Sequence, residues 1–137
     1  MDETLLDEYR ASTYLVCVDK IQWPTIRLGE PLPPTLQACV GNQAWAFITA
    51  WNPASIRRPD APNEAAQREL LRELDHVAGI SAILPAIGIG PTGWFEPSLF
   101  VVGTGFDVFD ALATAYRQNA YVRGQGASQA SLHVLCP

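Results

Sequence analysis

Hydrophobic and polar positions along the chain alternate with two periods, one typical of strands and one typical of helices. Runs that are rich in β-branched and aromatic residues predict strands at 13–19, 25–29, 44–51, 81–89, 94–103, 120–123 and 130–136. Stripes of apolar residues at helical spacing predict helices at 63–78 and 105–117. Acidic residues ahead of two leucines and a tyrosine predict a short helix at 2–11, and initial prolines with a final glycine predict another at 32–41. The chain therefore alternates between strands and helices over its whole length.

The order of elements between residues 44 and 123 is β-α-β-β-α-β, the order of a ferredoxin-like core. Right-handed crossovers would place both helices on one face of a mainly antiparallel sheet, with strand 44–51 between strands 94–103 and 120–123. The N-terminal helix and strands and the C-terminal strand must then extend this sheet or cover its other face. We predict one α+β domain over residues 1–137, with that other face as a place for ligands or partners.

Several residues have the local chemistry of element ends. Thr104 and Asp107 have the spacing of a capping box, and Asn63 could cap the helix that follows it. Gly79 is a natural helix stop, and Asn119 could end the last helix in the left-handed conformation. Pro85 should weaken its strand because proline has no N–H to donate.

Composition and charge exclude some classes of protein. The chain is 48% hydrophobic and 17% charged, which is typical of a folded globular domain. It carries 9 Lys and Arg against 14 Asp and Glu, a net charge of −5, and it has no basic cluster for nucleic acid. No apolar run is long enough for a membrane span, and the acidic MDETLLDEYR lacks the features of a signal peptide. We therefore expect a cytoplasmic protein without membrane or nucleic-acid partners.

The cysteines and histidines do not suggest a metal. Cys17, Cys39 and Cys136 are widely spaced without a CxxC motif, so we expect reduced thiols. His76 and His133 have no zinc-ligand spacing relative to the cysteines.

Sequence motifs for cofactors and nucleophiles are also incomplete. The segment GTGFDV (103–108) precedes a helix but lacks the third glycine of a dinucleotide fingerprint, so we expect no cofactor. No serine lies in a G-x-S-x-G elbow, and no Cys–His pair is indicated. A catalytic activity would have to rest on Glu96, and we predict no catalytic residues.

The segment AFITAWNPAS poses the question of why a core strand should end in Trp-Asn-Pro. Pro53 prevents the strand from continuing, and Asn52 places an amide with both donors and acceptors at its end. The amide could contact a ligand. Alternatively, Asn52 forms an Asx-turn that holds the following loop.

The neighbouring strand carries Trp94, Glu96 and Ser98 at alternate positions, so these side chains share a face. A carboxylate and a hydroxyl among apolar neighbours could bind a polar ligand, and Glu96 could act as a base if burial raised its pKa. The structural alternative is that Glu96 accepts hydrogen bonds from the backbone of a loop.

The segments FITAWNPAS, GWFEPSLFVVG and ALATAYRQNAYV, with Asn63 before a leucine-rich helix, resemble the bacterial domain-of-unknown-function family 3293. The resemblance runs from about residue 9 to residue 135. It implies the same kind of domain and brings no known activity.

The leading hypothesis is a small binding or regulatory domain for an unknown small molecule or protein, with its site at one end of the sheet. An inhibitor of a basic protein, of the immunity or antitoxin kind, is an alternative, and a small hydrolase or transferase that uses Glu96 is another. Gln118 and Asn119 could reach the loop after Pro53, although both could simply end a helix. The predicted site consists of Asn52, Asn63, Trp94, Glu96, Ser98, Gln118 and Asn119.

Overall fold

The computed structural model describes residues 1–135. This part of the chain contains seven strands and four helices, joined by turns and loops. The strands are β1 (Thr13–Val16), β2 (Thr25–Ile26), β3 (Ala44–Ile48), β4 (Ile80–Ile89), β5 (Phe95–Gly103), β6 (Ala120–Gln125) and β7 (Ser131–Val134). The helices are α1 (Glu3–Ala11), α2 (Pro34–Val40), α3 (Asp60–Leu74) and α4 (Phe106–Ala115). A short 3₁₀ turn, Pro53–Ser55, follows β3.

All seven strands belong to one sheet in the order β2-β1-β4-β5-β3-β6-β7, and each neighbouring pair is antiparallel. The central position of β3, between β5 and β6, is the one that the sequence predicts. Leu70 and Leu74 of α3 share a buried cluster with Phe109 and Leu112 of α4, so both helices cover the same face, as expected. The mixed α+β class is therefore confirmed. The ferredoxin-like description of residues 44–123 is more specific than this, and it stays a prediction.

The N-terminal segment both extends the sheet and curls it. Strand β1 pairs with β4 and brings β2 to one edge, while β7 forms the other edge beside β6. Beyond these strands the two edges meet, because the N–H of Gly29 donates to the carbonyl of Ala130 at 2.8 Å. The N–H of Ala130 in turn donates to the carbonyl of Glu30 at 2.9 Å. The sheet therefore wraps round the core on its inner face.

Two hydrophobic cores lie on the two faces of the curled sheet. The inner core joins Trp45, Phe100 and Val122 of the strands to Leu36 and Val40 of α2. The outer core lies under α3 and α4. Strand β3 is buried on both faces, which explains its continuous apolar sequence.

Strand β3 ends at Ile48, three residues before the predicted end at Trp51. Side chains replace the strand's backbone partners there. The N–H of Ala50 donates to Oε1 of Gln67 at 2.8 Å, and the N–H of Trp51 donates to Oγ1 of Thr49 at 3.0 Å. The apolar sequence continues past the strand because Ala50 remains fully buried.

Helix α3 begins at Asp60 and ends at Leu74, where the sequence predicted 63–78. Pro59 is the N-cap, and Pro62 lies within the first turn, where a missing N–H costs no helical hydrogen bond. The chain turns after Leu74, and Gly79 takes its positive φ of 89° several residues beyond the helix end.

The predicted ends of α4 are also wrong. Thr104 has a left-handed φ of 62°, and Gly105 is the N-cap without a side-chain hydrogen bond, so no capping box forms with Asp107. At the other end, Arg117 and not Asn119 takes the left-handed conformation, with a φ of 58°.

Pro85 lies inside β4 without breaking it. Its carbonyl accepts a hydrogen bond from the N–H of Cys17, immediately after the last residue of β1. In an antiparallel sheet the N–H and C=O of one residue point to the same neighbouring strand. The side of Pro85 that lacks an N–H therefore faces the chain just beyond the end of β1, where the missing donor interrupts no strand pairing.

Cys17 and Cys39 are free thiols, and Cys136 lies outside the described residues. None of the helices within residues 1–135 has the length and hydropathy needed to cross a membrane.

The Trp45 indole packs directly against the backbone of Gly124 in the inner core. A Cβ atom at residue 124 would lie 2.5–2.8 Å from three atoms of the Trp45 indole, which is completely buried against Phe100. We predict that Gly124→Ala lowers the free energy of unfolding by about 1–3 kcal/mol through overpacking. Thermal unfolding should show a fall of several degrees in melting temperature.

Gly88→Ala is the matched control, because a Cβ there meets only Phe47, at 3.8 Å. An unchanged melting temperature for Gly124→Ala would show that the indole can move and would contradict the packing described here.

Candidate functional site

A cavity of about 200 Å³ lies on the inner face of the sheet, at the end that α2 does not fill. Helix α1 closes one side of it with Leu5, Glu8 and Tyr9. Its floor is made by residues of five strands, including Tyr14 of β1 and Phe47 of β3. The sequence predicted a binding place on this face of the sheet.

The alternation of β5 places Glu96 and Ser98 in this cavity, on the same face as buried Phe100, and Trp94 lines the cavity directly before the strand. Gly88 of β4 pairs directly with Glu96 and also lines the cavity. Because Gly88 has no side chain, the space in front of the Glu96 carboxylate stays open.

The two oxygens of Glu96 have different surroundings. Oε2 accepts a hydrogen bond from the Trp94 indole Nε1–H at 2.8 Å and another from the Asn52 amide Nδ2–H at 3.1 Å. Oε1 accepts none from the residues that the structure describes. Both donors are side chains, so the alternative in which Glu96 holds the backbone of a loop is wrong. One oxygen fixes the carboxylate, and the other is available to a ligand.

Asn52 and Asn63 form a buried reciprocal pair behind the cavity wall. The backbone N–H of Asn52 donates to Oδ1 of Asn63, and Nδ2 of Asn63 donates to Oδ1 of Asn52, both at 2.8 Å. Asn52 has a left-handed φ of 47°, and its Oδ1 also accepts the N–H of Arg58 at 3.1 Å. This network occupies the Asn52 oxygen and directs its Nδ2 to Glu96, which explains why the core strand ends in Trp-Asn-Pro.

The sequence suggested that Asn63 caps α3, and this suggestion is wrong. Asn63 is the fourth residue of the helix and is fully buried, and its Oδ1 also accepts the Arg58 Nε–H at 2.5 Å. A capping asparagine and a buried bridging asparagine have the same sequence signal near a helix start. Asn52 and Asn63 support the site without lining the cavity.

Gln118 and Asn119 differ in their position relative to the cavity. Gln118 lines the cavity, and its Nε2 donates to the carbonyls of Trp51 and Tyr116, each at 3.2 Å. Asn119 lies outside the cavity, where its Nδ2 donates to Oγ of Ser55 at 3.0 Å. Of the seven predicted residues, four line the cavity: Trp94, Glu96, Ser98 and Gln118.

Several of the residues that sequence reasoning missed come from the N-terminal segment. Tyr9 pairs through its hydroxyl with Oγ of Ser55 at 3.4 Å, and the Tyr14 hydroxyl donates to the Tyr9 carbonyl. Ser12 lines the cavity between them. The sequence contains only an indirect signal for these residues. The inner face of the sheet needs a cover, and the N-terminal segment is one of the parts of the chain that could provide it.

Burial dominates the electrostatics of the site. It raises the pKa of the Glu96 carboxyl above its ordinary value of 4.5, and the hydrogen bonds from Trp94 and Asn52 oppose this shift. Burial likewise raises the pKa of the Tyr9 and Tyr14 hydroxyls, with a further contribution from the nearby Glu96 charge. Both tyrosines therefore stay neutral at ordinary pH, and Glu96 is the ionisable group at the floor of the cavity.

Comparison with known proteins identifies the family. Residues 48–121 match the family described as "Protein of unknown function (DUF3293)", and the chain belongs to that family because this is more than half of its length. The match is narrower than the range of 9–135 over which the sequence resembles the family, and it excludes Tyr9 and Tyr14. No match was found among curated proteins or among solved structures.

The Asn52–Asn63 pair yields a stability prediction. Asn63→Ala removes one acceptor and one donor from a fully buried place and leaves the Asn52 N–H unpaired. We expect the free energy of unfolding to fall by about 1–3 kcal/mol, the usual cost of an unpaired buried polar group. Urea unfolding followed by circular dichroism measures this loss.

Asn42→Ala is the control, because Asn42 is exposed and its side chain makes no hydrogen bond with the described residues. The interpretation of the pair as a support for the site would be wrong if Asn63→Ala unfolded at the same urea concentration as the control.

The surroundings of Glu96 yield a prediction about pH. In Glu96→Gln the amide oxygen can replace Oε2 and accept both hydrogen bonds, with the NH₂ group facing the cavity. The raised pKa of Glu96 means that the folded protein holds this proton more tightly than the unfolded chain does. Ionisation of Glu96 therefore lowers the stability of the wild-type protein as the pH rises above 4.5. The variant does not lose stability in this way, because glutamine does not ionise.

The melting temperature of Glu96→Gln relative to wild type should accordingly rise between about pH 4 and pH 8. Glu64→Gln, which changes an exposed carboxylate on α3, should show no such trend. A difference that stays constant or favours the wild type at high pH would refute the burial argument.

Proposed function

We propose that this protein is a binding domain that takes up a small polar molecule in the cavity between α1 and the inner face of the sheet. Its core is, on this proposal, the ferredoxin-like unit of residues 44–123, and its site is the end of that sheet. The observation that carries the proposal is the Glu96 carboxylate, held by two side chains through Oε2 while Oε1 faces an open cavity.

The cavity has the general character of a ligand site. Aromatic residues form much of its wall, and a few polar groups converge on its interior. Its volume of about 200 Å³ is below the roughly 300–1,000 Å³ of pockets for drug-sized molecules, so it suits a ligand of few heavy atoms. The Asn52–Asn63 network holds the floor rigidly, which lowers the cost of ordering the site on binding.

The hydrogen bonds favour binding over hydrolysis. The Ser98 hydroxyl donates to the backbone carbonyl of Glu96 at 3.1 Å, and not to a carboxylate or imidazole that could activate it. Among residues 1–135, the Glu96 carboxylate accepts hydrogen bonds only from the Trp94 and Asn52 side chains. The inhibitor alternative depends on a protein partner, and the cavity supports a small molecule more directly. The cytoplasmic location stays a prediction.

Filling the cavity tests this proposal. Gly88 lines it with only Phe47 near its missing Cβ, at 3.8 Å, so a leucine there would extend into the empty space. We expect small molecules that co-purify with the wild-type protein, detected by mass spectrometry of denatured extracts, to be absent from Gly88→Leu. The filled variant should keep its melting temperature.

Thr13→Val is the matched control, since Thr13 is exposed in the adjacent strand β1 and does not line the cavity. Retention of the same molecules by Gly88→Leu and Thr13→Val would contradict binding in this cavity. Capture of a protein partner that Gly88→Leu also retains would support the inhibitor alternative.

A further inference from the structure

Hydroxyl groups on the strand floor of the cavity direct their protons into the protein. Oγ1 of Thr49 donates to the carbonyl of Pro97 at 2.7 Å, and Oγ of Ser98 donates to the carbonyl of Glu96 at 3.1 Å. A hydroxyl has one proton, so each of these groups can offer a ligand only its lone pairs.

The hydroxyls near α1 behave in the same way. Oγ of Ser12 donates to the carbonyl of Glu8 at 2.6 Å, and the Tyr14 hydroxyl donates to the carbonyl of Tyr9. Tyr9 and Ser55 share one hydrogen bond, which leaves a single proton between them. This side of the cavity therefore also presents mainly acceptors.

The Gln118 amide adds a second unoccupied acceptor. Both protons of its Nε2 are used by the carbonyls of Trp51 and Tyr116, which also fixes the orientation of the amide. Its Oε1 accepts no hydrogen bond from the residues that the structure describes. Gln118 and Glu96 therefore both line the cavity, and each has one oxygen that accepts no hydrogen bond from the described residues.

The charges on the wall have one sign. Glu8 and Glu96 line the cavity, and no Lys, Arg or His of the described chain does. The guanidinium of Arg57 lies outside the lining and stacks on the Trp94 ring, 4.7 Å from its centroid. The remaining side-chain donors are the hydroxyl of Thr92, at the exposed rim, and the one proton left between Tyr9 and Ser55. Anions would meet repulsion from the two carboxylates, with only these hydroxyl donors to compensate.

We propose that the ligand is a small primary amine, bound as its ammonium ion with N–H groups donating to Glu96 Oε1 and Gln118 Oε1. This inference rests on the proposed function and adds the chemical class of the ligand. A primary ammonium supplies three donors and a positive charge, which match a wall of acceptors and carboxylates. Trp94, Tyr14 and Phe47 provide aromatic surface for its alkyl chain and for the cation itself. A quaternary ammonium would lack the N–H donors that the acceptors require.

Titration with four probes of similar size tests this class. The Trp94 indole N–H is bonded to Glu96, so its ¹H–¹⁵N NMR signal reports on the site, and Trp94→Phe assigns it by removing it. We expect butylammonium to shift this signal in a saturable way. Butyrate, 1-butanol and tetramethylammonium should bind at least tenfold more weakly or not at all.

Glu96→Gln should weaken butylammonium binding about tenfold or more, as expected for loss of a charge-assisted hydrogen bond. Glu64→Gln, an exposed site on α3, should bind as the wild type does. The indole signal of the variant remains a probe, because the amide oxygen can still accept the Trp94 proton.

The outcomes separate the two proposals. Saturable shifts with butyrate or 1-butanol but not with butylammonium would overturn the amine assignment and leave binding in the cavity intact. Stronger binding of tetramethylammonium than of butylammonium would overturn the role of the N–H donors. If no probe shifts the signal of the folded protein, both the amine assignment and the small-molecule function are contradicted.

Discussion

The hydrogen bonds of Trp94 and Asn52 to one oxygen of Glu96 are the interaction on which this account depends. They hold a buried carboxylate in one orientation and leave its second oxygen facing the cavity. The Asn52 amide can donate because the buried Asn63 and the N–H of Arg58 occupy its oxygen. An asparagine pair at the junction of β3 and α3 thus determines where a charge lies on the opposite face of the sheet. The same pair explains why a strand with a continuous apolar sequence stops abruptly.

The cavity exists because the curled sheet is filled at only one end. Helix α2 and its Leu36 and Val40 complete the inner core at one end, and α1 lies across the other without any fully buried residue of its own. Glu96 and Ser98 are the polar residues of β5 that line this end of the inner face, and Gly88 keeps the space open. The outer face, under α3 and α4, is conventionally packed. Stability therefore comes mainly from the two cores, and the end under α1 can hold a buried charge.

The central elements were predictable from the sequence because their residues alternate with the period of the structure they form. The neighbours of β3 in the sheet and the shared face of α3 and α4 follow from that pattern and from the handedness of crossovers. The contacts that curl the sheet could not be predicted, because nothing in the local sequence around Gly29 indicates that it pairs with Ala130. Asn63 was misassigned because a helix cap and a buried bridge have the same local sequence. Trp94 and Glu96 could be found from strand alternation, whereas Tyr9 depended on how the N-terminus folds back.

The most direct test of the central interaction is a ¹³C NMR titration of the Glu96 side-chain carboxyl in the folded protein. Burial against two fixed donors predicts a midpoint above the ordinary 4.5. The Trp94 indole N–H should titrate with the same midpoint, because its acceptor is the group that changes charge. A midpoint at the ordinary 4.5 together with an indole signal that does not change with pH would show that Glu96 is a solvated carboxylate and would contradict the site described here. A midpoint below 4.5 would contradict the dominance of burial over the two hydrogen bonds.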